Sequence, residues 1–292
     1  MNILYLAFGH RSDIYLQTIF SCESLLAIHK KDVKVHIFTD NPQKFERIKD
    51  YVKLHHFSVE EVEEEMYVNG IRYFFRIKLK LIERFVLKYP NESLMFLDSD
   101  TFVYKSLNDI FEIVKQGKAV MHEPERLFSK PETKTDKHVW RKLRNKSIAG
   151  IPITKDTMGW NSGVIGIPTG NNLAIIQKSI EVCDELIMLC KRRSFVEQNA
   201  YSIVFANMCG IEKANQCIAH YWGNKEEWNE QIVKFYLESL LANLSIGEEI
   251  ELTKKLNLKD LPYRRKTSNT KKRLVKIVSR LFKDKKLEYI AN

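Results

Sequence analysis

The chain alternates short unbroken apolar runs with longer amphipathic stretches. Ile3 to Phe8 (Ile-Leu-Tyr-Leu-Ala-Phe) is the first such run and predicts a strand. Asp13 to Lys30 predicts a helix, and Val33-Lys34-Val35-His36-Ile37-Phe38 predicts a second strand that ends at Thr39-Asp40. Strand, helix, strand at this spacing is a βαβ unit, which builds a parallel sheet and places ligands beyond the carboxyl ends of its strands.

The same reading predicts a strongly periodic helix from Arg72 to Tyr89, stopped by Pro90-Asn91, and a buried strand over Leu94-Met95-Phe96-Leu97. Leu107 to Lys115 predicts a helix and Ala119-Val120-Met121 a short strand. From Glu123 to Met158 the pattern dissolves into polar sequence with three prolines, Pro124, Pro131 and Pro152. A structureless stretch of that length predicts a functional lid, with acceptor contact as its expected use, or disorder. Order resumes with a strand over Trp160 to Ile167, helices over Leu173 to Cys190 and Glu197 to Asn207, a compact His220-to-Lys225 motif, and a helix over Glu226 to Leu244.

At 292 residues the chain has room for one large α/β domain with an appendage. The division expected is a catalytic domain over 1–245 and a tail over 246–292. Five scattered cysteines without a close pair support neither a disulfide framework nor a zinc cluster, and suit a reducing compartment. No basic leader precedes the first strand, and no segment approaches the roughly 18 apolar residues of a membrane span. The expectation is a cytoplasmic protein.

The most informative chemistry lies where the central strand stops, at Asp98-Ser99-Asp100. Residues two apart on extended backbone share a side, so Asp98 and Asp100 can grip one cation together. Hard divalent cations such as Mg²⁺ and Mn²⁺ take oxygen ligands and share their coordination sphere with substrate phosphates.

Five motifs in order make the chain resemble a GT-A fold nucleotide-sugar glycosyltransferase, closest to glycosyltransferase family eight, the galactosyltransferase and glycogenin-like group. They are the Asp-x-Asp of Asp98 and Asp100, the arginine-bearing Tyr73-Phe74-Phe75-Arg76, Asn161-Ser162-Gly163, the acid-glutamine pair Glu197-Gln198, and His220 with Gly223 and Lys225. The likeness spans roughly Met1 to Glu230. It implies an α/β, Rossmann-like mixed sheet flanked by helices. It also implies metal-dependent transfer of a hexose from a nucleoside-diphosphate sugar, UDP-sugars first among them. The acceptor would be a glycan or lipid-linked glycan, with retention at the anomeric carbon, in cell-surface polysaccharide or lipooligosaccharide assembly.

The resemblance assigns Asp98, Asp100 and His220 to the metal, Mn²⁺ or Mg²⁺; a histidine ligand favours Mn²⁺. It assigns Glu197, Gln198 and Asn161 to the reacting sugar. Ala7, Phe8, Asp40, Arg76, Ser99, Gly223 and Lys225 would bind the donor nucleotide, with Lys225 and the Gly223 amide neutralising the departing diphosphate. Each has a plainer alternative: a core histidine for His220, a solvated helix face for Arg76, a helix start for Glu197, a strand start for Asn161. The chain also departs from the family pattern. Ala7 is followed by Phe8-Gly9-His10-Arg11 where an aspartate would read the base, which leaves Phe8 to stack and Asp13 or Asp40 to accept. Glu197 replaces an aspartate, and Lys225 sits one residue closer to Gly223 than the pattern has it, with no proline after it.

The net charge of +10 is local. Eleven basic residues and one acidic residue lie between Arg264 and Lys286, leaving the rest of the chain formally neutral. Within this tail Leu274, Ile277, Val278, Leu281 and Phe282 recur at helical spacing among Lys271, Lys272, Arg273, Lys276, Arg280 and Lys283. A basic amphipathic helix of this kind lies in an anionic membrane interface, here the inner face of the cell membrane through residues 264–286. The alternatives are a helix packed on the domain or a nucleic-acid patch; Phe282 belongs to the apolar stripe, and no stacking aromatics interleave with the basic residues.

Two other classes compete. Asp98-Ser99-Asp100-Thr101 is also similar to the nucleophile loop of haloacid-dehalogenase-type phosphatases, with Asp98 phosphorylated. That chemistry needs a later acidic cluster, and after Asp184 only Asp260 and Asp284 remain as aspartates. A non-enzymatic nucleic-acid-binding protein led by the tail leaves the acidic strand ends unexplained.

Overall fold

The computed structural model describes residues 1–190, 193–256, 261–264, 274 and 277–282. Seven strands form the main sheet: β1 (Asn2–Ala7), β2 (Lys34–Thr39), β3 (Val52–His56), β4 (Leu94–Leu97), β5 (Ala119–Met121), β6 (Val164–Ile167) and β7 (Ile211–Lys213). Their order across the sheet is β7-β5-β6-β4-β1-β2-β3. β1 lies parallel to both β2 and β4, whereas β6 runs antiparallel to β4 and β5. The sheet is therefore mixed, as the family likeness implied and as the opening βαβ unit alone did not.

Helices cover both faces: α1 (Ser12–His29), α2 (Val59–Glu65), α3 (Arg76–Lys88), α4 (Asn108–Lys115), α5 (Lys134–Leu143), α6 (Asn172–Leu189), α7 (Val196–Met208), α8 (Lys225–Leu241) and α9 (Ile246–Thr253). Strand residues alternate between two cores. Leu4 and Phe96 face a core shared with Leu79 and Ile82 of α3, Ile176 of α6 and Val204 of α7. Ile3, Tyr5, Met95 and Leu97 face the opposite core with Leu25 of α1 and Ile110 of α4. That two-residue alternation between two covered faces is why these strands read as continuous apolar runs. α9 packs on α1, with Ile250 buried in the second core.

The stretch from Glu123 to Met158 is ordered, contrary to expectation. Pro124–Leu127 pairs antiparallel with Met158–Trp160, and α5 stands between them behind a capping box in which the Thr133 hydroxyl accepts from the Asp136 N–H. Phe128, Val139, Leu143, Ile148 and Ile151 bury their side chains in the first core, which anchors the segment. The strand predicted over Trp160 to Ile167 is broken at Asn161-Ser162-Gly163.

Of the tail expected from Arg264 to Lys286, most basic residues lie outside the described residues. Leu274 is helical, as are Ile277 to Leu281, and the apolar side chains Leu274, Ile277, Val278, Leu281 and Phe282 are 50–76% exposed. Among the described residues, no helix is long and apolar enough to cross a membrane.

Candidate active site

Asp98 and Asp100 leave the carboxyl end of β4, at the point where the sheet's strand direction changes, and the strand Thr101–Val103 carries the chain onward. Thr101–Val103 pairs antiparallel with Ile218–His220, and the register sets His220 opposite Thr101. This ladder closes a loop of more than a hundred residues, and its last hydrogen bond runs from the Tyr221 N–H to the Asp100 carbonyl at 3.0 Å. His220 Nε2 thereby stands 3.8 Å from Asp98 Oδ2 and 3.5 Å from Asp100 Oδ1. Space for the imidazole exists only because residue 163 lacks a side chain: a Cβ there would lie 2.2 Å from His220 Nδ1.

One ligand atom from each of Asp98, Asp100 and His220 falls within 4.8 Å of the others. Two carboxylate oxygens and an imidazole nitrogen form a donor set that fits Mn²⁺ or Mg²⁺ with positions left for phosphate oxygens. Asp100 is 4% exposed. Burial works against its charge, but His220 and Lys225 outweigh it and hold the carboxyl below the usual range. Lys225, the first residue of α8, reaches Asp100 Oδ2 at 2.8 Å.

Lys78, which the sequence reading passed over, lies at the centre of the site. Its ammonium sits 3.0 Å from Asp98 Oδ1, 3.0 Å from Glu197 Oε1, and donates to the Ser162 carbonyl at 3.0 Å. Burial opposes the charge, yet the two carboxylates outweigh it and push the lysine above its ordinary range. Burial pushes the Glu197 carboxyl up, with Lys78 opposing. Glu197 is further fixed by the Ser162 hydroxyl, which donates to Oε2 at 2.9 Å, and by its own N–H, which donates to the Tyr73 hydroxyl at 3.0 Å.

Two adjoining cavities meet at these groups. One, of about 230 Å³, is lined by Glu125, Asn161, Ser162, Glu197, Gln198 and Trp222 among others. The second, of about 200 Å³, is lined by Phe8, Asp13, Gln17, Phe74, Phe75 and Ser99 among others. Phe75, Lys78, Asp98, Asp100 and Lys225 border both. The first chamber presents the amides and carboxylates of Glu125, Asn161, Glu197 and Gln198, suited to hydroxyl groups, beside the rings of Phe75, Phe195 and Trp222. The second carries aromatic rings, with Phe8 stacked on Phe74 at 5.3 Å.

The predicted residues therefore divide. Asp98, Asp100, His220, Asn161, Glu197, Gln198, Lys225, Phe8 and Ser99 line the chambers. Arg76 does not: its guanidinium grips Asp184 through two hydrogen bonds of 2.7 and 2.9 Å and donates to the Glu65 carbonyl. Asp40 accepts from the Gly9 N–H and the Tyr15 hydroxyl, outside both linings, and Ala7 is fully buried. Gly223 pairs in a backbone bridge with Arg264, whose guanidinium lies 5.0 Å over the Trp222 ring. Asp13 lines the aromatic chamber with its carboxylate held by Arg11.

No protein-family profile matches the chain, and no curated protein matches it in sequence. Among solved structures it is similar to the galactosyltransferase LgtC in complex with donor and acceptor sugar analogues. The two are 13% identical, the match covers 72% of this chain and 73% of that one, and the TM-score is 0.48. It is also similar to mouse xyloside xylosyltransferase 1 in its apo form, at 12% identity over 73% of this chain and 85% of that one, with a TM-score of 0.47.

Proposed function

We propose that this chain is a metal-dependent glycosyltransferase. It moves a hexose from a nucleoside-diphosphate sugar, with a UDP-sugar as the first candidate, to a hydroxyl of a glycan or lipid-linked acceptor, with retention. The observation that carries the reading is the junction itself: Asp98, Asp100, Lys78 and Lys225 border two chambers, one with the Phe8 and Phe74 rings and the other with His220 and the amides and carboxylates of Asn161, Gln198, Glu125 and Glu197. A nucleoside diphosphate sugar has the same sequence of parts, a stacking base, an anionic bridge and a hydroxyl-rich ring.

In this reading Asp98, Asp100 and His220 hold Mn²⁺ or Mg²⁺, which when bound supplies a Lewis acid to the diphosphate oxygens. The bond from sugar C1 to the diphosphate oxygen breaks, the acceptor oxygen bonds to C1, and the acceptor proton leaves with the diphosphate. Lys225 exchanges Asp100 for the diphosphate as negative charge develops there. Lys78 holds Asp98 and Glu197 in one frame, so that the sugar meets a fixed carboxylate, while Gln198 orients its hydroxyls. Phe8, Phe74 and Phe75 receive the base. The third metal-ligating side chain that converges with the two aspartates, among the described residues, is a histidine. A phosphatase using Asp98 as nucleophile would need an acid there. The exposed apolar face of Leu274, Ile277, Val278, Leu281 and Phe282 supports the further reading that the tail seats the enzyme on an anionic membrane.

Release of free nucleoside diphosphate from a panel of sugar nucleotides, with Mn²⁺ and with EDTA, tests the function. Metal-dependent release from one donor is expected. Release of inorganic phosphate from phosphate esters, with no donor hydrolysed, would replace the reading with the phosphatase.

A further inference from the structure

Asn161 sits between a carboxylate and an imidazole, and its neighbours settle which way its amide points. The Gly163 N–H donates to Asn161 Oδ1 at 3.0 Å, so that atom is the carbonyl oxygen. Asn161 Nδ2 donates to Glu125 Oε1 at 3.1 Å. His220 Nδ1 lies 2.8 Å from the same Oδ1. A carbonyl oxygen only accepts, so Nδ1 carries the proton. In the neutral ring the lone pair is then on Nε2, the atom that faces Asp98 and Asp100.

Glu125 is itself held. Its second oxygen accepts from Gln198 Nε2 at 2.8 Å and from Arg126 at 3.1 Å, and Arg126 is pinned in turn by Asp136 at 2.8 Å. The pairing of Pro124–Leu127 with Met158–Trp160 thus delivers a carboxylate whose two oxygens are each assigned.

We infer that Glu125 and Asn161 are positioning residues: a relay that fixes the tautomer and ring plane of His220 so that Nε2 is the metal-ligating atom. The inference rests on the metal reading above and changes the part played by Asn161, from sugar contact to ligand orientation. Loss of such an outer partner costs a ligating histidine on the order of ten- to a hundredfold in metal affinity.

The test titrates Mn²⁺ alone into the full chain, followed by the EPR signal of the free ion. In parallel, ¹⁵N NMR of the imidazole nitrogens reads the tautomer, with His220 assigned by comparison with His220→Gln. The wild type is expected to show His220 protonated at Nδ1. Asn161→Leu should lose that signature and weaken Mn²⁺ binding about tenfold. Asn161→Asp should weaken it too, because two carboxylates then face each other. Adding Glu125→Gln to Asn161→Asp reverses the donor and acceptor while keeping an oxygen for Gln198 and Arg126, and binding should recover. An Nε2-protonated His220 in the wild type, or a double variant that binds no better than Asn161→Asp, overturns the relay. A wild type that takes up no Mn²⁺ with His220 protonated at Nδ1 overturns the metal reading and upholds the orientation.

Discussion

The Lys78 ammonium lies 3.0 Å from Asp98 Oδ1. It lies equally close to Glu197, so one buried cation ties the proposed leaving-group end of the site to its sugar end. Removing it leaves the buried Glu197 and the part-exposed Asp98 without their shared cation. Lys78→Met should therefore destabilise the fold by about 3–5 kcal/mol at neutral pH, the cost of an uncompensated buried charge. Urea unfolding measures this, and a change under 1 kcal/mol (roughly the value of a surface pair) would show that Lys78 is not holding the frame.

Gly163 gives a sharper geometric test. A methyl group at this position would overlap the His220 ring, so Gly163→Ala should displace the imidazole from the two aspartates. If Mn²⁺ raises the melting temperature of the wild type, it should raise that of Gly163→Ala by much less. Equal shifts in both proteins would mean that His220 is not a ligand.

How much of this was legible beforehand depends on the range of the contacts. The strand Leu94–Leu97 and its two aspartates were readable because an apolar run covered on both faces announces itself locally. Lys78 was hidden among Arg72, Arg76, Lys80 and Arg84, although its spacing to Leu81, Ile82 and Phe85 puts it on the buried stripe of the helix, where a lysine needs partners. Arg76, two residues before Lys78, lies about 200° around the helix from it and pairs with Asp184 instead. The α5 helix left two local marks, Thr133 three residues before Asp136 and Val139 four before Leu143. Glu125 left none, since its place depends on the register of Pro124–Leu127 against Met158–Trp160, a pairing across thirty residues.

Away from the site, Glu23 predicts a pH dependence. Desolvation first, and Glu249 second, push its carboxyl up to about 8. An unfolded glutamate titrates near 4.3, so between roughly pH 4 and 8 the folded state keeps a proton that the unfolded state has lost. Its contribution to stability is complete below that window and declines as pH rises, by at most about 1.4 kcal/mol per pH unit. Glu23→Gln should flatten the fall in urea midpoint between pH 5 and 8. Parallel profiles for the two proteins would contradict the assignment.

For the tail, the contact of Arg264 with Trp222 and Gly223 sets where truncation should begin. A chain ending at Arg264 preserves that contact and removes the exposed apolar face. It should lose sedimentation with anionic vesicles while the full chain retains it, each basic residue near the surface contributing on the order of 1 kcal/mol. Equal partitioning of both forms ends the membrane reading.

The central claim is that Asp98 and Asp100 handle a departing diphosphate through a bound cation. The most direct measurement is transfer of labelled sugar from the accepted donor, at saturating Mn²⁺, by Asp98→Asn and Asp100→Asn beside the wild type, with melting temperatures recorded. Loss of at least about a hundredfold in transfer by both variants, with the fold retained, is the predicted result. Full activity in either variant would contradict it.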